Sequence, residues 1–447
     1  MFYKIIKHEY DTGKLYVPSK LHTTLLGGEM HWTVIHAGLR EKRVSVVASP
    51  ELSDNELGIT ADVLDALSIP LDISYQLRIE KNHIRIGPVL GLLLAQSRRF
   101  FTERTLEKIS DYALRYEEIH GLLYVFSMDG INFENNTVGG LYYSPGTSKS
   151  GPTWNEGIFP IPDSIFRRVA LPIGILRKLK ELTGNRIFNS FYFNKLDFWN
   201  IVSKNNSVKD NIPDTRVYKS FRDIEQMLDI YESLYIKPVS GTLGNGLVKI
   251  VKTKEGYSFQ GKYDQYPTII NSREKAIEYV NQIISDYRYL VQQDIQLLRY
   301  KGCFIDFRVN MQKDYTMKWN CTGIIGCIGI QGGIHSNYTE DGEYLPFEDF
   351  LVNELALGNV RASRKKDEII ELCKKVCQVL DETGENYGDL GIDVGLDQSL
   401  KPWIFEANKT QFYSLPLMLN DFEAYYAART NPVKYAAALS GFNVQKV

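Results

Sequence analysis

Two short strands near the end of this chain constrain its fold more than any other feature. The segment GIDVGLDQSLKPWIFEANKT has the pattern of two β-strands joined by a tight turn. If that turn is centred between Ser399 and Leu400, Asp393 lies directly opposite Glu406. Side chains alternate between the two faces of a strand, so Asn408 shares the face of the two carboxylates. The other face is expected to be apolar and to carry Ile392, Val394, Phe405 and Ala407.

The two opposed carboxylates require a positive neighbour, because like charges directly opposite each other destabilise a strand pair. Three oxygen donors on one rigid face suit Mg²⁺, which keeps several waters and bridges phosphate groups. Two alternatives remain open. Lysines such as Lys237 or Lys409 could neutralise the pair, or the strand register could differ by one residue. The pattern favours a magnesium site formed by Asp393, Glu406 and Asn408.

A second feature is the segment KPVSGTLGNGLV, in which Lys237 ends a strand and a loop with Gly241, Gly244 and Gly246 follows. Glycines let backbone N–H groups approach phosphate oxygens closely, and the lysine adds a positive charge. The alternative is a glycine-bearing β-hairpin whose lysine is simply solvated. The segment is not a Walker loop, since no Gly-Lys-Ser/Thr ends it.

Two further strands carry polar side chains among apolar ones. In CFIDFRVN, Asp306 and Arg308 lie two residues apart and therefore on one strand face. Such inward charges serve either a site or a buried ion pair. In YLVQQDI, the amide of Gln293 could recognise an adenine edge, or the segment could be a plain buried strand.

The composition narrows the class of partner. Lys and Arg number 52 and Asp and Glu 54, so no basic excess favours nucleic acid or an anionic membrane surface. The five cysteines are sparse and odd in number, so they do not form a disulfide framework. This pattern favours a reducing compartment. The first ten residues lack the apolar core of a signal peptide, and the longest apolar stretch, Val89–Ala95, is too short to span a bilayer. We therefore expect a soluble cytoplasmic protein.

Hydrophobic patterning divides the chain into three parts and indicates the α/β class. Residues 1–87 have the pattern of short strands and turns, which predicts a small β-rich domain. Residues 88–186 alternate strand and helix patterns, which predicts a small α/β domain; its Gly-, Ser- and Pro-rich segment 144–157 is expected to be a connector or a lid. Residues 187–447 form the third part, with a long amphipathic helix from Ser363, as N-cap, to Thr383.

These segments, in this order, resemble the YheC/YheD-type ATP-grasp family of spore-forming bacteria, whose members are described as endospore coat-associated. The resemblance covers most of the chain from about Ile84 to Thr410. It implies an ATP-grasp fold over residues 187–447, preceded by a small α/β domain and an N-terminal β-rich domain. The matching segments are IRIGPVLG, FPIPDSIFRRV, FNSFYFNKL, IPDT, KPVSGTLGNGLV, DFRVNMQKD with the nearby Trp319, GIDVGLD and WIFEANKT.

The resemblance also implies a role for each matching residue. Lys195 and Lys237 match the two phosphate-binding lysines. Gln293 matches a position at the adenine-binding hinge, where related proteins often carry a glutamate or a similar polar residue. The flexible loop over the phosphates is matched by Gly241, Thr242, Gly244 and Gly246. The magnesium-binding positions are matched by Asp393, Glu406 and Asn408, which agrees with the strand-face argument.

The chain departs from the family pattern in two places. Related proteins commonly place an arginine in the stretch occupied here by GIIGCIGI, near Cys327, and a Gly-Gly pair after the asparagine at Asn337, where this chain has YTEDG. Such an arginine would stabilise phosphoryl or acyl-phosphate charge. Arg308 is the best remaining candidate for that catalytic role.

The function that the resemblance implies is an ATP-dependent carboxylate–amine or carboxylate–thiol ligase, which uses ATP and Mg²⁺ and forms an acyl phosphate. Its expected partners are ATP, an unidentified carboxylate and amine, and spore coat proteins; the forespore and the spore coat are candidate locations beside the cytoplasm. The missing arginine motivates one alternative, an ATP-binding structural protein of the spore coat without turnover. A small-molecule kinase on the same fold is another. We favour the ligase.

Overall fold

The strands form a barrel and three open sheets that follow one another along the chain. The computed structural model describes residues 2–26, 32–146, 150–241, 244–284, 288–336, 343–410 and 413–445. The mixed α/β class expected from the sequence is confirmed.

The first unit is a closed barrel within residues 2–26 and 32–87. Its strands are β1 (Tyr3–His8), β2 (Lys14–Pro18), β3 (Trp32–Ala37), β4 (Arg40–Ser49), β5 (Glu56–Thr60), β6 (Ser74–Glu80) and β7 (His83–Gly87), and its helices are α1 (Ser19–Leu26) and α2 (Ala61–Leu67). The strand order is β1-β5-β2-β4-β3-β7-β6, and β1 closes the barrel by pairing with β6. Alternate residues point inward, as in β4, where Val44 and Val46 are buried.

The second unit is a sheet in the order β11-β10-β9-β8-β12-β13. Its strands are β8 (Val89–Ala95), β9 (Leu122–Asn132), β10 (Thr137–Ser144), β11 (Thr153–Pro160), β12 (Ser164–Arg167) and β13 (Ile187–Phe188), with helices α3 (Glu103–Ser110) and α4 (Ile173–Leu182). Strand β8 is parallel to β9 and β12, and β12 is parallel to β13, so their carboxyl ends meet at one edge. The apolar run of β8 is buried on both faces: Leu90 and Leu92 face one core, and Val89 and Leu93 face another.

The prediction that residues 144–157 form a connector is wrong in part. Residues from Thr153 onward form β11, the edge strand that pairs antiparallel with β10. An edge strand bonds to a neighbour on one side alone, so it tolerates the Gly and polar residues that made the segment look like a loop.

The third unit is a sheet in the order β14-β19-β15-β16-β17-β18. Its strands are β14 (Thr215–Val217), β15 (Ser233–Pro238), β16 (Val248–Thr253), β17 (Gly256–Gly261), β18 (Thr268–Ile270) and β19 (Tyr289–Gln293), and the nearby helices are α5 (Lys195–Val202), α6 (Phe221–Leu228) and α7 (Arg273–Ile283). This sheet encloses, with α6 and α7, an apolar core of its own.

The fourth unit is a sheet in the order β23-β22-β21-β24-β25, with β20 paired to β21. Its strands are β20 (Arg299–Tyr300), β21 (Cys303–Lys313), β22 (Trp319–Ile328), β23 (Glu343–Pro346), β24 (Asp389–Leu396) and β25 (Pro402–Asn408). The helices that follow or cover it are α8 (Phe347–Asp349), α9 (Asn359–Asp381), α10 (Leu415–Met418) and α11 (Phe422–Leu439).

Helix α9 begins four residues before the predicted start, at Asn359, with Gly358 as its N-cap, so the assignment of Ser363 as N-cap is wrong. The first turn was missed because Asn359, Val360 and Arg361 are exposed, and its one buried side chain is the small Ala362. The predicted stripe itself is confirmed: it is buried against the fourth sheet and consists of Ile369, Leu372, Cys373, Val376 and Leu380.

Helix α11 links the second and fourth units. Ser164 Oγ of β12 donates to the carbonyl of Ala436, and Gln312 Nε2 of β21 donates to that of Ala428, both at 2.8 Å. All five cysteines are free thiols. The division at residues 87 and 186 stays a prediction; β13, just beyond the second boundary, still pairs within the second sheet.

Candidate functional site

The hairpin of β24 and β25 brings three polar side chains together. Asp393 pairs with Glu406 and Gly391 with Asn408, so the predicted register is confirmed at these positions. Asn408 Nδ2 lies 3.1 Å from Asp393 Oδ2 and 3.3 Å from Glu406 Oε1. Two carboxylates and an amide therefore share one face of the fourth sheet.

A bulge follows immediately, because Val394 pairs with Ile404 and not with Phe405. The additional residue in β25 breaks the alternation, so Phe405 lines the same cleft as Glu406, while Ile404 and Ala407 are buried on the other side. The expectation that Phe405 belongs to the apolar rear face is wrong for this reason.

Cations from three elements surround the carboxylates. Arg308 of β21 donates to both oxygens of Asp393, with Nη2 3.1 Å from Oδ2. Lys195 Nζ lies 3.6 Å from Glu406 Oε2. Burial raises the pKa of Asp393 to about 6, with Glu406 adding to the rise against the effect of Arg308. Burial would also raise the pKa of Glu406, but Lys195 and Lys237 outweigh it, so this pKa lies below its usual value.

Lys195 is the first residue of α5, a helix whose start is fixed by its N-cap. Asn194 accepts from the backbone N–H of Asp197, and the Asp197 side chain accepts from the Asn194 N–H. Lys195 Nζ also donates to the carbonyl of Gly241 at 2.8 Å. The helix start thus holds a cation between the glycine loop and Glu406.

Lys237 stands on β15 and is not the solvated lysine of the alternative interpretation. Its Nζ donates to Gln292 Oε1 at 2.7 Å. Burial lowers its pKa from 10.5 to about 8, and nearby Lys195 contributes in the same direction against Glu406. The strands on either side of the glycine segment, β15 and β16, do pair antiparallel.

A cleft of about 970 Å³, including space open to solvent, contains most of the predicted site residues. Those that line it are Lys195, Lys237, Gly241, Gly244, Gln293, Asp393 and Glu406. Gly246 adopts φ +76° beside Pro238, a conformation that favours glycine. Thr242, Asn337 and the YTEDG segment lie outside the described residues. The structure therefore brings the predicted residues of four separate segments to one cleft.

Gln293 reaches the cleft with its side chain already bonded. The side-chain Oε1 of Gln293 accepts from the backbone N–H of Asp214 at 3.2 Å. The backbone N–H of Gln293 donates to the Asp214 carbonyl at 2.8 Å. The residue is part of β19, in the interior of the third sheet. A role at an adenine-binding hinge stays a prediction.

Several lining residues were not assigned a role from the sequence. Asp306 is one of them: burial, with Asp393 nearby, raises its pKa well above its usual value. Its position on the face of Arg308 was the available signal. The others are largely apolar or aromatic and include Tyr235, Leu247, Ile295, Phe304, Ile334 and Phe405. Tyr235 was recognisable as well, since it shares a strand face with Lys237.

The donor set fits a hard divalent cation. Carboxylate and amide oxygens are the ligands that Mg²⁺ takes in proteins, usually with only one or two carboxylates. Within the described ranges, no three His, Cys, Asp or Glu side chains are grouped closely enough to hold a metal ion by themselves. The candidate set is therefore two carboxylates with the amide of Asn408. The arrangement can hold a cation beside an anionic group that the two lysines contact.

Comparison with known families defines the class. The model of the YheC/D-like ATP-grasp family matches residues 184–439, more than half of the chain, and the chain belongs to that family. It is similar to the endospore coat-associated protein YheD of Bacillus subtilis (strain 168), with 25% identity over 434 residues and 91% coverage of each chain. It is also similar to YheC of the same organism, with 22% identity over 59% of this chain and 79% of the relative.

Among solved structures, the chain matches D-alanyl-alanine synthetase A from Vibrio cholerae O1 biovar eltor str. N16961 at 13% identity. The match covers 79% of this chain and 98% of that one, with a TM-score of 0.42. Among the described residues, no helix combines the length and apolar character needed to cross a membrane.

The lowered pKa of Lys237 predicts a pH dependence of stability. The unfolded chain binds the proton more tightly than the folded one, so stability relative to Lys237→Gln rises as pH increases from 8 to 10.5. The expected total is about 3 kcal/mol, because the pKa is about 8 in the folded protein and 10.5 in the unfolded chain. Urea unfolding of both proteins at several pH values measures this difference, and a flat difference between pH 7.5 and 10 would contradict it.

Proposed function

We propose that this protein binds ATP with Mg²⁺ in the cleft and is an ATP-dependent ligase that joins a carboxylate to an amine. One observation carries the proposal: Asp393, Glu406 and Asn408 lie on one face, next to Lys195 and Lys237. Oxygen donors suit the metal, and the lysines suit phosphate oxygens. Membership of the ATP-grasp family supports the same assignment.

The walls of the cleft suit the rest of a nucleotide. Apolar and aromatic side chains such as Phe304, Phe405 and Leu247 can pack on a base. Lys195 bonds the Gly241 carbonyl, so the glycine loop is held close to the proposed phosphate position. We propose that Gly241, Thr242, Gly244 and Gly246 cover the phosphates.

In the proposed reaction a carboxylate oxygen attacks the γ-phosphorus of ATP, the bond to the β,γ-bridging oxygen breaks, and ADP leaves. An amine nitrogen then attacks the acyl carbon, inorganic phosphate leaves, and the nitrogen loses a proton to water. Mg²⁺, when bound, neutralises phosphate charge and orients the oxygens. Lys195 and Lys237 hold phosphate oxygens, and Arg308 orients Asp393 while its charge offsets the negative charge of the acyl phosphate.

A second candidate is an ATP-binding protein without turnover. Asp306 pairs across the sheet with Cys327, in the stretch where related proteins commonly carry an arginine. A thiol there supplies no positive charge to a phosphoryl group, and burial raises its pKa further above the usual range. We place this candidate second, because Arg308 supplies a cation on the neighbouring strand.

ATP binding is tested by thermal unfolding with ATP and Mg²⁺. A ligand at about 100 times its Kd stabilises the folded state by about 2.7 kcal/mol, which raises Tm by several degrees. Glu406→Gln removes one metal-binding charge at nearly constant shape and should lose most of that rise. Glu278→Gln, an exposed glutamate on α7, is the matched control and should keep it. Equal shifts in both variants, or none in the wild type, would contradict the proposal.

Ligase chemistry is tested by trapping the acyl phosphate with hydroxylamine in the presence of ATP, Mg²⁺ and a panel of carboxylates. The expected result is hydroxamate formation and phosphate release that depend on the carboxylate, and a decrease of at least about tenfold in Arg308→Lys. Binding of ATP without either product would favour the protein without turnover. A stable phosphorylated product without hydroxamate would indicate a kinase.

A role at the spore coat is proposed from the relatives, since both YheD and YheC are named endospore coat-associated. A fluorescent fusion produced during sporulation should collect at the surface of the developing spore. A signal that stays uniform in the mother cell throughout sporulation would count against this location.

A further inference from the structure

A short segment, residues 189–193, joins the carboxyl edge of the second sheet to the hairpin of β24 and β25. Buried Asn189, at φ +52°, donates from Nδ2 to the carbonyls of Asp389 and Lys409 at 2.8 and 2.9 Å. Arg167 Nη1, at the end of β12, donates to the Ser190 carbonyl at 2.6 Å. Lys409 Nζ donates to the Phe193 carbonyl. The segment is therefore held by one cation from each side.

Tyr192, in the middle of this segment, lies between those two cations. Its ring centroid is 4.1 Å from Arg167 Cζ and 5.7 Å from Lys409 Nζ. Its hydroxyl is buried and has no hydrogen-bond partner among the described residues. Burial raises the pKa of Tyr192 to about 12, so the hydroxyl stays a donor at neutral pH. A buried donor without a partner destabilises the free protein and is satisfied when a ligand supplies an acceptor.

Arg167 and Lys409 both donate hydrogen bonds to backbone carbonyls, which are neutral. Arg167 is 2% exposed and donates to the carbonyls of Val169 and Ser190. Glu385, the acid that acts on Arg167 through space, is bonded to Lys180 at 2.8 Å. Lys409 Nζ donates to the carbonyl of Phe193. Among the described residues, neither cation bonds a carboxylate directly. Burying a cation without a directly bonded anion is unfavourable, so this pair suits an anionic ligand.

The position of the pair identifies the chemistry of that anion. Lys409 directly follows Asn408 and lies within electrostatic reach of Glu406 and Lys195. An anion held here would adjoin the phosphate end of the cleft. Arg167 stands at the carboxyl ends of parallel strands, the edge where open α/β sheets bind ligands.

We propose that Arg167, Tyr192 and Lys409 form the binding site for the carboxylate group of the acceptor substrate. This inference rests on the proposed ligase function and adds the place where the carboxylate binds. The Tyr192 hydroxyl donates to one carboxylate oxygen, and the two cations neutralise its charge.

The test is calorimetric titration of the full chain, loaded with ADP and Mg²⁺, with acetate, succinate and L-glutamate. At least one of these probes should bind the wild type. Tyr192→Phe should weaken that binding about tenfold, the effect of losing a hydrogen bond to a charged group, while its unliganded Tm stays the same or rises. Lys409→Met should weaken it at least tenfold, and Lys409→Arg should recover part of the loss.

The control is Tyr10→Phe, a fully exposed tyrosine, which should bind ADP and the carboxylate as the wild type does. ADP affinity should change less than twofold in Tyr192→Phe. The inference is overturned if ADP binds but no probe does, or if Tyr192→Phe binds the probe as tightly as the wild type. It is also overturned if ADP affinity falls as much as probe affinity, because Tyr192 then belongs to the nucleotide site. Absence of ADP binding to the wild type would instead overturn the proposed function.

Discussion

The repulsion between Asp393 and Glu406 is the constraint on which the candidate site depends. Pairing of β24 with β25 holds the two carboxylates directly opposite each other. Charges a few ångströms apart inside a protein interact by several kcal/mol, so neighbouring elements must supply compensation. Arg308 on β21 bonds Asp393, and Lys195 at the start of α5 approaches Glu406. Together with Lys237, these cations offset the repulsion between the two carboxylates.

Each unit after the barrel contributes residues either to the cleft or to the proposed carboxylate site beside it. The fourth sheet supplies the acidic side chains, and the third sheet supplies Lys237 and the glycine loop. The second sheet supplies Arg167, whose guanidinium reaches the segment that carries Tyr192. Because Asn189 bonds the carbonyl of Lys409, the second and fourth sheets are joined next to the three oxygen donors. The proposed carboxylate site therefore lies next to the proposed metal site.

The sequence predicted the pairing of the terminal hairpin because that geometry is local. A short turn and a period of two suffice to place Asp393 opposite Glu406. The bulge at Phe405 was not predictable, since one additional residue leaves no mark on the pattern. Closure of the barrel was also missed, because it depends on parallel pairings between distant strands, such as β1 with β5 and β3 with β7. The Arg167–Tyr192–Lys409 arrangement was missed for the same reason: its members come together only in the folded chain.

The separate apolar core of the third sheet has a consequence for how the cleft opens. Two hydrogen bonds join this sheet to the opposite wall: Tyr235 Oη donates to the Ile334 carbonyl at 2.8 Å, and Gln260 Nε2 donates to the Gly332 carbonyl at 3.2 Å. If the third sheet moved outward as a rigid body, water would replace the acceptors of these two hydrogen bonds. The apolar core that the sheet forms with α6 and α7 would stay intact. Helix α11, in contrast, is hydrogen-bonded to both the second and the fourth sheet. Entry and exit of ligands would thus involve a movement of the third sheet relative to the second and fourth sheets.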